Sequence, residues 1–132
     1  MKAIRPLGIV AVSLGVMLST AAFAEGTGNR TELKRVDLAG APGMEVVSSL
    51  TVYQVGDVLG RHLHHGIESG YVVQGGKVQP PGKDPIELAT GANILFERDV
   101  PHGGFKIVGD SPLTLYTVHV VDKGKPLYDW IK

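Results

Sequence analysis

Gly56-Asp-Val-Leu-Gly-Arg-His62-Leu-His64-His65-Gly66-Ile67-Glu68-Ser-Gly-Tyr-Val-Val-Gln-Gly75 is the stretch on which the fold turns. In a strand, alternate side chains share a face. His62 and His64 therefore project the same way, with Cβ atoms about 6–7 Å apart. Two imidazoles so spaced can reach one ion at bonds of about 2.0–2.1 Å. His65-Gly66-Ile67 supplies a bend, and Glu68 starts a return strand, where a carboxylate can meet the same ion from the adjacent strand. Far along the chain, after Pro101, His102 can close the group from a facing hairpin.

Around this stretch the apolar residues come in short alternating runs with turn residues between them. Strands are expected over 45–55, 70–74, 93–96, 102–108 and 113–121. Gly75-Gly76 ends one of them as a tight turn. Three prolines and a glycine between 79 and 85 exclude a central strand there. No segment after the N-terminal region sustains apolar spacing at three and four residues, so no substantial helix is expected. Many short strands with regularly placed turns predict an all-β sandwich or barrel.

The pattern Gly56-x5-His62-x-His64-x3-Glu68-x6-Gly75 resembles the first sequence motif of the cupin superfamily at every fixed position. The second motif is looser. Gly91 and His102 keep the family's spacing, but Glu97, Asp99 and Lys106 stand where the family usually has proline, glycine and asparagine. The resemblance runs roughly from residue 51 to 121. It implies a single-domain antiparallel β-barrel (jelly roll), commonly a homodimer, with one divalent transition metal on His62, His64, Glu68 and His102. Iron, manganese, nickel, copper and zinc all occur in the family, and imidazole with carboxylate does not choose sharply among them. The carboxylate favours Fe(II) or Mn(II); three histidines alone would look like a zinc site. The opposing possibility is a polar barrel core that keeps these residues without a metal.

The strand alternation also sketches a pocket. Gly70, Val72 and Gln74 share the face of Glu68, Gly70 leaving open space and Gln74 placing an amide deeper inside. Gly104 and Lys106 share the face of His102, and Lys106 could receive an acidic substrate group. Tyr53 and Tyr116 are candidates to bring a phenol to the pocket. His65 must point away from His64, as a surface or interface histidine. His119 shares a face with Leu113, Leu115 and Thr117 and reads as a satisfied core or interface histidine, with a supporting role beside the metal as the alternative. Glu97 and Arg98 belong on a solvated turn.

The chain begins with Lys2 and Arg5, an uncharged apolar run over 7–18, and Ala22-Phe23-Ala24. These are the three parts of a secretory signal peptide, and the run falls short of the roughly 20 residues of a membrane span. Residues 1–24 are thus expected to be a cleaved signal, 25–32 a polar, glycine-rich flexible leader, and 33–132 the barrel with an apolar tail. The product would be exported, with no membrane attachment after cleavage. Of the 13 basic residues two lie in the signal, against 13 acidic ones, and no basic run occurs, which excludes a nucleic-acid partner on charge. With no cysteine there is no disulfide, thiol nucleophile or cysteine-ligated metal. The tail over 126–131 is apolar and is expected to cover a barrel edge or dock on a neighbour.

The functional expectation is a small-molecule metalloenzyme of the dioxygenase type. Its alternatives are a Lewis-acid isomerase or lyase, and a periplasmic cupin that binds a metal or small ligand without turnover. No positioned acid or base stands out apart from the tyrosines and Lys106, which disfavours the lyase version.

Overall fold

Period-two alternation governs the longest strands of the computed structural model, which describes Gly26 and residues 28–132. The expected signal and its cut after Ala24 lie outside the described residues. In chain order the strands are β1 (Asn29–Asp37), β2 (Met44–Tyr53), β3 (Val58–Leu63), β4 (Gly66–Gln74), β5 (Gly76–Gln79), β6 (Ile86–Leu88), β7 (Asn93–Phe96), β8 (His102–Val108), β9 (Leu113–Asp122) and β10 (Asp129–Trp130). No helix occurs among the described residues. The strands form two five-stranded sheets in the orders β1-β2-β9-β4-β7 and β10-β3-β8-β5-β6, with antiparallel pairing throughout each.

Every second residue of β2 and β9 points inward. Glu45, Val47, Ser49, Thr51 and Tyr53 are buried on β2, as are Leu113, Leu115, Thr117, His119 and Val121 on β9. One end of the interior is apolar: Tyr53, Leu59, Val72, Val78, Ile107, Leu113 and Leu115 form a continuous cluster that draws on both sheets. The other end is polar, with Ser49, His62, His64, Glu68, Thr117 and His119 all buried.

Several expectations are corrected. The first strand begins at Asn29, inside the stretch read as a flexible leader, and lies along the edge of its sheet beside β2. Its residues are mostly exposed, so it carries no inward apolar stripe for a sequence pattern to reveal. β4 does not pair with β3. It lies in the other sheet, between β9 and β7, so Glu68 comes from the facing sheet, whereas His102 sits directly beside His62 on the β3–β8 ladder. The expected positions of the carboxylate and of the last histidine are therefore exchanged. The crossing from β3 to β4 needs glycine at Gly66, where a Cβ would lie 2.1 Å from the Val120 carbonyl oxygen.

The tail covers an edge of its own subunit, as β10 pairs with β3, Trp130 opposite His62. It thereby occupies backbone groups that would otherwise be an open edge.

Candidate metal centre

His62 and His64 alternate inward from β3 and just beyond it, and both side chains are buried. His102 enters from the start of β8, its side chain 7% exposed. Glu68 reaches in from β4, flanked on its ladder by His119 and Phe96. One ligand atom from each of His62, His64, Glu68 and His102 lies within 4.8 Å of the other three. Oε2 of Glu68 is 3.0 Å from Nε2 of His64 and 3.0 Å from Nε2 of His102. The ring centroids of His62 stand 4.9 Å from His64 and 4.4 Å from His102.

Each of these histidines is oriented by a backbone carbonyl. Nδ1 of His62 donates to the Gly60 carbonyl at 2.9 Å, and Nδ1 of His102 to that of Val100 at 2.9 Å. Nδ1 of His64 donates to the Leu127 carbonyl in the tail. A carbonyl is only an acceptor, so the proton of each neutral ring sits on Nδ1 and the bare Nε2 faces inward. Three bare imidazole nitrogens then converge on a carboxylate oxygen that is also only an acceptor. Acceptors at 3.0 Å with no proton between them repel one another unless positive charge is present, and a divalent cation supplies it. The donor set fits a mononuclear metal site.

The electrostatics agree. Burial pushes the Glu68 carboxyl up, but with no cation bound a proton shared with the His102 or His64 ring, together with the nearby His119, outweighs it and holds the carboxyl well below the usual range; a bound cation would take that proton's place. Burial pushes His62 down to about 4, favouring the neutral ring that can act as a ligand. His119 is likewise pushed down to about 4 by burial.

Beside the four residues lies a cavity of about 220 Å³, walled by Tyr53, Leu59, Val78, Ile94, Phe105 and Leu115, with His62, Glu68 and His102 on one side. Phe96 stacks flat on the His102 ring, 3.8 Å between centroids.

Of the pocket candidates, Tyr53 is buried and lines this cavity. Gln74 is exposed and its amide donates to the Pro112 carbonyl at 3.1 Å. The β4–β9 register shifts between Val72 and Gln74, and that irregularity turns Gln74 out of the barrel. Lys106 is also exposed and borders a separate groove with Val58 and Pro81. Gly103 and Gly104 both have φ near +74°, which breaks the alternation that would have put Lys106 on the face of His102. Only glycine suits position 103, where a Cβ would sit 2.6 Å from the Gly60 carbonyl oxygen and 3.0 Å from Nδ1 of His62. Tyr116 is exposed on the outer face of β9, opposite Tyr71. Gly70 leaves no open space, because Ile94 and Thr117 would meet a Cβ there at ordinary contact distance.

His65 points to the rim, as expected, between Asp99 at 2.9 Å and Asp129 at 3.2 Å. Glu97 and Arg98 are exposed, with Arg98 paired to Asp122 at 2.7 Å. His119 is fully buried, and neither ring nitrogen meets a partner at full hydrogen-bond geometry, although the Val47 backbone lies close enough to favour its charged form. Sequence reasoning missed Tyr128. Its ring stands 4.9 Å from His62 and 5.0 Å from His64 and stacks on Trp130. The signal for it was the aromatic pair at alternate positions of the tail.

A family profile described as "Cupin domain" matches residues 49–119, more than half of the chain. No curated protein matches the sequence. Among solved structures, a double-stranded β-helix protein of unknown role from Klebsiella pneumoniae superposes with a TM-score of 0.55 at 14% identity, covering 80% of this chain and 89% of its own. A cupin-like protein from Thermotoga maritima gives 0.52 at 21% identity, covering 80% and 77%. The polyketide cyclase RemF from Streptomyces resistomycificus gives 0.51 at 17% identity, covering 79% and 72%. At these identities the likenesses establish the fold alone.

Proposed function

We propose, from the premise that this chain belongs to the cupin domain family, that it holds one divalent metal, Fe(II) or Mn(II) in preference to nickel, copper or zinc, on His62, His64, Glu68 and His102 and acts on a small apolar molecule as a dioxygenase-type oxidoreductase. The observation that carries this reading is the convergence of three carbonyl-anchored imidazoles and one carboxylate beside a largely apolar pocket. An ion bound there would supply Lewis acidity and, for iron or manganese, one-electron redox chemistry.

The chain's own residues supply the rest. A dry cavity of about 150 Å³ lined by Leu, Ile and Phe accepts benzene, so one of about 220 Å³ accommodates a single ring with small substituents. Among the described residues Glu68 is the only carboxylate on its wall and no Lys or Arg lines it, which favours an uncharged substrate. Burial keeps the Tyr53 and Tyr128 phenols protonated, Tyr128 being pushed up to about 12. They can donate hydrogen bonds to substrate but are poor bases at neutral pH, which favours the oxygenase over the lyase reading.

The test is metal analysis of the untagged protein, followed by oxygen uptake with Fe(II) and a panel of phenols, thiols and diketones. Iron retention with uptake on one panel member, lost in His64→Ala with the fold intact, is the expected result. Tight metal retention without turnover would favour the binding-only alternative.

Export and self-association belong to the same proposal. The signal-like residues 1–24 support secretion, testable by finding Glu25 at the N-terminus of the mature protein. With the tail committed to its own sheet, the outer face of β4, β7 and β9 is the surface available for pairing. Ile67, Tyr71, Val73, Leu95 and Tyr116 are exposed on it. A contiguous apolar face of this kind favours a homodimer. A monomeric mass for the parent protein in light scattering would contradict it.

A further inference from the structure

His119 takes no part in the four-residue set, yet it is fully buried, and neither ring nitrogen meets a partner at full hydrogen-bond geometry, the Val47 backbone being the one polar group that approaches the ring besides Glu68. Buried polar groups are almost always hydrogen-bonded, so an orphan of this kind calls for a function. Its place follows from the ladder. His119 on β9 lies directly across from Glu68 on one flank and Val47 on the other, all three facing inward. Nε2 of His119 is 3.7 Å from Oε1 of Glu68, and its ring stands 4.5 Å from that of His64. The two carboxylate oxygens thus meet different neighbours, Oε2 facing His64 and His102 at 3.0 Å and Oε1 facing His119.

We infer that His119 is the positioning residue of the centre: its Nε2–H donates to Oε1 of Glu68 and leaves Oε2 alone for the metal. The inference rests on the metal-binding reading above. An ionised carboxylate only accepts, and the Val47 backbone does not reach Nδ1 at hydrogen-bond geometry, so the proton of the neutral His119 ring belongs on Nε2. The present separation exceeds hydrogen-bond length, and a small rotation of the carboxyl group closes it. A carboxylate held through one oxygen takes one coordination position instead of two, which keeps another free for substrate. His119 is not itself a ligand in this scheme, because its Nε2 faces the outer oxygen and it lies outside the convergent group.

Co(II) titration of the metal-stripped full mature chain tests the role. His119→Leu removes the donor, and the expected result is a roughly 10- to 100-fold weaker cobalt affinity with an altered visible spectrum. The metal-free melting temperature should hold or rise, since an apolar side chain replaces an unpaired polar one. A purely structural histidine would not separate these two readouts. His119→Gln, whose amide can reach the same oxygen, should stay within about threefold of the parent, and His119→Asn, too short to reach, should not. Cobalt binding by His119→Leu at parental affinity with the parental spectrum overturns the inference. Should the leucine variant not fold, equal cobalt affinity of the Gln and Asn variants does the same. If the parent itself takes up no cobalt, the four-ligand reading fails and the role of His119 falls with it.

Discussion

Along β2 and β9 the inward positions change character halfway: Tyr53, Leu113 and Leu115 pack an apolar end, whereas Ser49, Thr117 and His119 belong to a polar end around Glu68. Both ends use the same strands, the same pleat and the same degree of burial, so propensity and accessibility do not separate them. They differ in what satisfies them. The apolar end is complete once water is excluded, at about 25 cal/mol per Å² of buried apolar surface. The polar end gathers acceptors and unpartnered polar atoms that a bound cation and its supporting hydrogen bonds would satisfy. The apolar core lies at one end and the candidate metal centre at the other.

The sharpest way to break this comparison is to delete one residue at each end. His102→Ala should weaken metal binding by more than about 100-fold, while changing metal-free stability by no more than about 1 kcal/mol. Leu113→Ala should do the reverse, costing about 2–5 kcal/mol in chemical denaturation and leaving the metal content of the folded fraction unchanged. If both variants lose stability equally and neither loses metal, the division is wrong.

Removing the tail from Pro126 onward should weaken metal binding by about 10- to 100-fold, because the Leu127 carbonyl that sets the His64 ring is lost with it. Isothermal titration against the full chain measures this. A truncated protein with parental affinity would show that the His64 ring needs no such anchor.

Acidification should weaken the metal-free protein. Burial pushes His62 and His119 down to about 4 from an ordinary 6.5. As pH falls from about 6.5 towards 4, the unfolded chain takes up protons that the folded one refuses, and folding free energy drops. Glu68, held low when folded, adds a further loss once pH falls below about 4.5. Denaturation midpoints that stay flat across this range would mean the imidazoles are not buried neutral. The smallest effect is expected at Lys106, which lies outside both ends. Lys106→Ala should change stability by no more than about 0.5 kcal/mol and leave turnover of any identified substrate unaltered.

The ligand set was legible because its spacing carries its geometry: two histidines at alternate positions face one way whatever sheet they join. Strands 93–96 and 102–108 were legible because alternation and flanking turns mark both ends. What the sequence did not disclose depends on partners or on broken alternation. Strand pairing is not local, so β4 could not be placed in the facing sheet from its own residues. The Val72–Gln74 irregularity and the two left-handed glycines at 103 and 104 reverse a face without leaving a hydrophobic signature. β1 escaped notice because an edge strand with both faces largely wet looks like a linker. Tyr128 was out of reach because its role depends on β10 lying beside β3.

The Leu127–His64 hydrogen bond links residues 63 apart in the chain, so the last residues to be made complete a site whose members come much earlier. A nascent polypeptide extended through His102 already possesses all four ligands, yet it lacks β9 and the carbonyl that fixes the tautomer of His64. The arrangement of the four residues is complete only once the tail through Trp130 lies on β3, so a segment of two paired residues at the end of the chain governs the geometry of a site built from its middle.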